Sequence, residues 1–292
     1  VETPQPAAPP LIAPLLAEPV VARLCAAAVQ GGRFEASLDL GRSTVTVDVP
    51  PGGAAWQALG RTWPMPGAID GRTVLQWEGA GFEPVQRWQG ALYKLVATPF
   101  GPPTFEIDGV KMLPSAEGSP WEDAARKVAL VAPRGQRVLD TCGGLGYFAA
   151  WCLRAGAAAV DSWEKSAGVH WLRGINPWSP GSPCSRALGD PLAGLALTHG
   201  DIAAAIEALP AGAYGAVLHD PPRFALAGEL YSQRFYDQLA RVLRRRGRLF
   251  HWTGAPNSRS RGRDLAAEVV VRLRRAGFGA VPRGDGVLAV KD

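Results

Sequence analysis

Apolar and polar positions alternate in short runs through the first third of the chain, then give way to apolar runs spaced by helical periods. Arg33–Leu40 and Ser43–Val49 alternate, as do Thr73–Trp77, Phe82–Trp88 and Ala91–Ala97, followed by Thr104–Ile107. Turn formers bound these segments, so the period of two predicts a small antiparallel β domain over residues 31–110. Residues 1–30 precede it: Val1–Ile12 is rich in Pro and Ala and reads as a flexible leader, and Leu15–Val29 as a short apolar helix interrupted near Pro19. The apolar face of that helix needs a cover, either the body of the protein or a second subunit, so a homodimer is one expectation.

Residues 111–125 read as a linker and the start of a helix, Trp121–Val131. Ser119 is placed to cap it, and Glu122 and Asp123 suit its positive end. From residue 126 to 292 the order becomes regular: strand Arg137–Thr141, helix Tyr147–Ala155, strand Ala159–Glu164, helix Ala167–Ile175. After a Pro/Gly/Ser insertion come strand Leu195–His199, a short helix over Ile202–Leu209, strand Tyr214–His219, helix Tyr231–Arg245 and strand Arg248–Trp252. Helix Arg263–Ala276 and strands Phe278–Pro282 and Gly286–Val290 end the chain, with a hairpin turn at Arg283–Gly286. Strands alternating with helices predict an α/β domain with a mainly parallel, covered sheet.

Composition narrows this only a little. The chain has 292 residues, 47% of them hydrophobic and 20% charged, which is globular rather than disordered. A formal charge of +5 is compatible with an anionic partner without demanding one. Eleven arginines lie between Arg241 and Arg275 against Asp264 and Glu268. They are compatible with RNA as a partner that is not favoured, because solvated helix faces account for them better. Cys25, Cys142, Cys152 and Cys184 show neither CxxC spacing nor a disulfide framework, and the scattered histidines suggest no metal site. Val1–Pro19 lacks the basic start of a secretory signal and no apolar run is long enough to span a membrane, so the expected setting is the cytoplasm.

The chemistry concentrates at strand ends. In Val138-Leu-Asp-Thr-Cys-Gly-Gly-Leu-Gly-Tyr147, a hydrophobic strand delivers Asp140, then Gly143, Gly144 and Gly146 let the backbone turn closely beneath a ligand. The helix that follows offers unpaired N–H groups and a positive dipole end, suited to a pyrophosphate or a carboxylate. Cys142 either approaches that ligand or is a small buried residue. Glu164 ends the second strand, where a carboxylate either accepts ribose hydroxyls or stands as a solvated strand-end acid. His219-Asp-Pro-Pro-Arg-Phe224 follows an apolar strand, and Pro221 and Pro222 stiffen the turn that carries Asp220. His219 and His251, at the ends of two strands, are candidate bases or hydrogen-bonded structural residues.

These segments resemble the class I S-adenosylmethionine-dependent methyltransferases, whose sheet is Rossmann-like with an antiparallel last strand. The resemblance implies S-adenosyl-L-methionine as cofactor, held by Asp140, Cys142, Gly143, Gly144, Gly146, Glu164 and Asp201. It implies that Asp201 accepts a hydrogen bond from the adenine amino group, although Asp201 is equally placed to cap the next helix. Asp220-Pro-Pro222 resembles the Asp/Asn-Pro-Pro-aromatic turn that aligns a target nitrogen with the methyl group. Here Arg223 stands where that motif has an aromatic ring, which favours an acceptor bearing a negative group over a stacked base.

Tyr93-Lys-Leu95, Pro103–Ile107, Asn176-Pro-Trp-Ser179, Leu230-Tyr-Ser232 and Leu249–Gly254 add a similarity to a group of predicted archaeal methyltransferases, from which Gly143 and Trp252 depart. A small β domain ahead of a Rossmann-like domain is also similar to the spermidine synthases. The expected activity is therefore methylation of nitrogen on a small molecule or protein. Alternatives are aminopropyl transfer from decarboxylated S-adenosylmethionine, RNA methylation, or cofactor binding without catalysis.

Overall fold

The computed structural model describes residues 13–224, 226–254 and 264–292. The leader Val1–Ile12, Arg263 at the expected start of the last helix, and Arg259 and Arg261 lie outside the described residues. The chain divides into two compact units: the described residues up to Pro120 with Gly174–Asp190, and Trp121–Arg173 with Pro191–Asp292. No helix of the described residues is long and apolar enough to cross a membrane.

The first unit is built of short antiparallel sheets. β1 (Leu15–Ala17) precedes the helix α1 (Glu18–Gln30), and β2 (Gly32–Ala36), β3 (Val45–Val49), β4 (Ala55–Ala58) and β5 (Arg61–Pro64) form one four-stranded sheet in that order. β6 (Val74–Trp77) pairs with β1 on one side and with β7 (Phe82–Pro84) on the other, while β8 (Gln86–Trp88), β9 (Leu92–Val96), β10 (Thr104–Ile107) and β11 (Val110–Lys111) form a third sheet. Val85 links two of these sheets: its N–H donates to Val74 and its carbonyl accepts from Leu95.

The sequence pattern predicts a continuous segment from Phe82 to Trp88, and the buried Val85 is where it changes sheet. The hairpin of β4 and β5 escaped the pattern because Leu59, with φ 55°, occupies a left-handed turn position usually left to Gly or Asn. Its strands bury Trp56 against Trp63, ring centres 6.1 Å apart, and both indoles donate to backbone carbonyls.

The insertion has structure of its own. α5 (Pro183–Ala187) is capped by Ser182, and Trp178 donates its indole N–H to the carbonyl of Leu40 at 2.9 Å. Arg42, against the Trp178 ring, pairs with Asp190 at 2.8 Å.

The second unit is an α/β domain. α2 (Pro120–Val131) leads to β12 (Arg137–Asp140), α3 (Tyr147–Arg154), β13 (Ala159–Glu164) and α4 (Ala167–Ile175). After the insertion follow β14 (Leu195–His199), α6 (Ile202–Ala205), β15 (Tyr214–His219), α7 (Gln233–Val242), β16 (Leu243–Trp252), α8 (Leu265–Arg275), β17 (Phe278–Arg283) and β18 (Gly286–Lys291). The seven strands run β14, β13, β12, β15, β16, β18, β17 across the sheet. The first five are parallel, and β18 is antiparallel to both β16 and β17. Every residue of β15 is buried, as a central strand covered on both faces requires.

The helix expected to run through Arg245 stops at Val242. Leu243 is already extended, with φ −80° and ψ 137°, and pairs with Tyr214. The register then jumps to Ala216 opposite Arg248, leaving residues 244–247 to a bulge in which Arg246 has φ 60°. Burial of Leu243 outweighs the helix propensity of the arginines that follow it.

Candidate functional site

The glycine loop hangs between the ends of β12 and β13. Asp140 is fully buried, and its neighbour across the sheet, Ser162, donates to its Oδ2 at 2.8 Å. Arg173, buried at the end of α4, donates through Nη2 to Ser162 Oγ at 3.1 Å and through Nε to the Gly144 carbonyl. Glu164 accepts from the Gly144 N–H at 3.0 Å with one oxygen and from the Ser166 N–H at 2.8 Å with the other. The chain turns back through Gly144 and Gly146, at φ 50° and 83°.

Gly143 is required for a different reason. A Cβ there would lie 2.0 Å from Arg173 Nη2 and 2.3 Å from Ser162 Oγ. Burial pushes the Asp140 pKa up to about 6, against the pull of Arg173 and Ser162. Asp140 Oδ1 and Arg173 Nη1 are buried without a hydrogen-bond partner among the described residues. Burial and the charge of Glu164 hold the Cys142 thiol well above its ordinary pKa, so it is protonated at neutral pH.

Arg173 and Ser162 were not singled out from sequence. The available signal was periodicity: Arg173 lies four residues after Val169 and next to Leu172, on a helix face that is otherwise apolar. An arginine at such a position needs buried acceptors.

Asp201, at the end of β14, divides its carboxylate. One oxygen caps α6 by accepting from Ala203 N–H at 2.9 Å, and the other pairs with Lys165 at 2.7 Å. Burial raises its pKa, but the Lys165 and backbone bonds outweigh it and leave the group below its ordinary value.

At the neighbouring strand ends, His219 of β15 and His251 of β16 lie opposite each other, ring centres 4.4 Å apart. His219 donates from Nε2 to the Leu230 carbonyl at 3.1 Å, so its Nδ1 accepts from Thr141 Oγ1 at 2.7 Å. His251 donates from Nδ1 to the Trp252 carbonyl at 2.8 Å and accepts from the Tyr236 hydroxyl at 3.0 Å. Burial drives the His219 pKa down to about 4 and that of His251 well below its ordinary value. Both rings are therefore neutral at pH 7, with each nitrogen engaged.

Asp220 follows directly. It is half-buried, and burial pushes its pKa up to about 7; Lys127 opposes the rise, while Asp123, Asp140 and Asp285 add to it. Pro221 is buried, Pro222 is exposed, and the Tyr231 hydroxyl donates to the Pro222 carbonyl at 3.0 Å. Phe224 meets the Tyr231 ring edge-on at 5.4 Å, and Arg223 is exposed.

Lys127, on α2, was also missed, because a lysine between apolar helix positions reads as an exposed residue. It is 3% exposed, with its ammonium 2.7 Å from Asp123, 3.4 Å from Asp285 and 5.3 Å from the centre of the Trp252 ring. Burial lowers its pKa, but Asp220 and Asp123 outweigh that and hold it above the ordinary lysine value.

Four arginines of the arginine-rich segment hold backbone carbonyls. Arg241 donates to the carbonyls of Ile206, Glu207 and Leu209, Arg248 to Leu130, Arg272 to Tyr231, and Arg274 to Ala280. Among the described residues no group of three or more His, Cys, Asp or Glu side chains is arranged to hold a metal ion.

No protein-family model matches the chain. Among solved structures it is similar to a spermidine synthase in complex with the transition state analogue AdoDATO, with a TM-score of 0.55 and 16% identity over 71% of this chain and 73% of that one. The spermidine synthase from Thermotoga maritima gives a TM-score of 0.51 and 15% identity over 70% and 71%. These likenesses establish the fold, a Rossmann-like α/β sheet with a separate N-terminal antiparallel β region. In sequence, the chain is 43% identical over 203 residues to the uncharacterized protein MJ1233 of Methanocaldococcus jannaschii, covering 68% of this chain and 67% of that protein. At that identity and coverage, the chain belongs to the family of the Methanocaldococcus jannaschii protein MJ1233.

Proposed function

We propose that the chain is a transferase that moves an alkyl group from an S-adenosyl sulfonium donor to an amine nitrogen, with aminopropyl transfer as the favoured reaction. The observation that carries this reading is one buried ammonium paired with Asp123 and Asp285 and stabilised by the charge of Asp220, at the strand edge that also bears the glycine loop. An edge that stabilises a buried alkylammonium is chemically suited to an amine acceptor. The two-domain likeness to spermidine synthases adds to it.

The residues present fit such a donor. Asp140 Oδ1 lacks a partner among the described residues and suits the donor's ammonium, while the spare lone pairs of Glu164 suit ribose hydroxyls. Asp201 would accept the adenine amino group beside the bonds that it already makes to Ala203 and Lys165. When bound, the donor supplies a carbon whose bond to the sulfonium sulfur breaks, the electron pair remaining on sulfur as a neutral thioether. Asp220 would take the proton that the attacking ammonium must lose, a task suited to a carboxyl with a pKa of about 7. Tyr231 and the two prolines would hold that carboxylate in line. His219 and His251 are given no proton-transfer duty in this reading, since their ring nitrogens already bind Thr141, Leu230, Tyr236 and Trp252.

Methyl transfer from S-adenosylmethionine is the second reading, favoured by the unpartnered Nη1 of Arg173, a donor suited to the carboxylate that the decarboxylated cofactor lacks. Incubation with each donor and a panel of amines, followed by mass spectrometry, separates the two. Methylthioadenosine formed only with the decarboxylated donor is the expected result. S-adenosylhomocysteine formed only with S-adenosylmethionine makes the second reading the correct one, and binding of neither donor overturns both.

A further inference from the structure

We infer that Lys127 is a resident ammonium that fills the place of a second cation beside Asp220, so that the site receives an acceptor through one amino group. This rests on the proposed amine chemistry and adds a specificity to it. The placement follows from strand register before any electrostatics. His219 pairs with His251 on β15 and β16, which sets Asp220 beside Trp252 one residue further on. Trp252 pairs in turn with Gly286 of β18, which sets Asp285 at the same edge. The Trp252 indole N–H donates to Asp285 Oδ2 at 3.0 Å, and Thr253 N–H donates to the Asp285 carbonyl. Into this edge α2 delivers Lys127 and, one turn earlier, Asp123.

A count of charges then decides what remains for a ligand. Asp123 pairs with Lys127 and with Arg126, and Asp285 pairs with Lys127 and accepts from Trp252. Asp220 is the carboxylate of the three that makes no ion pair among the described residues. One free carboxylate matches one ammonium. A diamine would bring a second positive charge toward an ammonium that is already buried and fixed, without an uncommitted carboxylate to meet it. The Trp252 ring face at 5.3 Å makes the place still more suited to a cation, and Lys127 occupies it. The side chain thus acts as part of the acceptor pocket and not as a group that touches reacting atoms.

The test is calorimetric titration of the full chain and of its Lys127→Ala variant with n-butylamine and with 1,4-diaminobutane. The wild-type chain is expected to gain nothing from the second amino group. The variant, in which Asp123 and Asp285 lose this ammonium and keep only Arg126 and the Trp252 indole, is expected to bind the diamine about tenfold or more tightly than the monoamine. A second variant, Lys127→Ala with Asp123→Asn, removes one of the two carboxylates that lost the ammonium, guards against loss of folding, and is expected to keep only part of that preference. A wild-type chain that already prefers the diamine by such a margin, or a folded Lys127→Ala chain with no preference, overturns the inference. Because the readout is binding, it stands apart from turnover. Diamine preference gained in the variant without transfer by any amine would refute the proposed activity and leave the ammonium site in place.

Discussion

The glycine loop and the Asp220 turn lie at the ends of adjacent strands of one sheet, yet they are held in opposite ways. The loop is stitched into place by directed bonds: Glu164 takes the Gly144 N–H, Arg173 takes its carbonyl, and Ser162 joins Arg173 to Asp140. The turn has few such bonds and relies on two prolines, one tyrosine hydroxyl and a balance of charges about Lys127. A loop that shapes a constant ligand gains from fixed geometry, whereas a carboxyl that must exchange a proton gains from a pKa left near neutrality. The contrast predicts that changes at the loop act on donor affinity and stability, while changes at the turn act on rate and pH dependence.

The largest expected effect is at the turn. Asp220→Asn should lower kcat by about 10² or more while leaving donor affinity within a few-fold, checked by single-turnover kinetics beside donor titration. The wild-type rate should rise with pH to a plateau above about 7, where the carboxyl is ionised. Stability should move the other way. The Asp220 pKa is raised from 3.8 to about 7 on folding, so its contribution is full below the lower value and is lost as pH rises through the upper one. Asn keeps the neutral form, and the melting temperature of Asp220→Asn relative to wild type should therefore increase from about pH 5 to about pH 8. A constant difference would place the titrating group elsewhere.

Gly143→Ala should break the loop side of the comparison. Its methyl group displaces Arg173 or Ser162, which should cost about 1–3 kcal/mol of stability and weaken donor binding about tenfold or more. Unchanged donor affinity would separate the loop from the donor site. Ser162→Ala, which removes the hydroxyl shared by Asp140 and Arg173, should cost about 1–3 kcal/mol in chemical denaturation. The smallest effect belongs to Tyr231→Phe: losing one hydroxyl bond to the Pro222 carbonyl should lower kcat by about tenfold or less at unchanged donor affinity. A larger fall in donor affinity than in rate would show that the two regions are not separately held.

Much of this was legible along the chain. The strands and helices of the α/β unit stand within a few residues of their expected places, because each strand is a short apolar run bounded by turn signals. Asp140, Glu164, Asp201 and Asp220 stand out as candidates in the sequence because strand ends face the loops that carry chemistry. The residues that were missed share one property. Arg173, Ser162 and Lys127 are polar side chains buried inside elements, and periodicity treats such positions as either apolar core or solvated face. The Leu59-Gly60 hairpin turn was missed for the related reason that leucine gives no local sign of a left-handed backbone.

By itself the sequence determined the α/β order, the glycine loop and the stiff Asp-Pro-Pro turn, because local periodicity, backbone freedom and proline restriction are properties of neighbouring residues. Only the tertiary structure decided that Arg173 closes the loop over Asp140, that the two histidines are neutral and occupied, and that Lys127 stands among three carboxylates. Those outcomes depend on desolvation and on partners brought from α2, α4 and β18, and neither quantity is carried by any single stretch of chain.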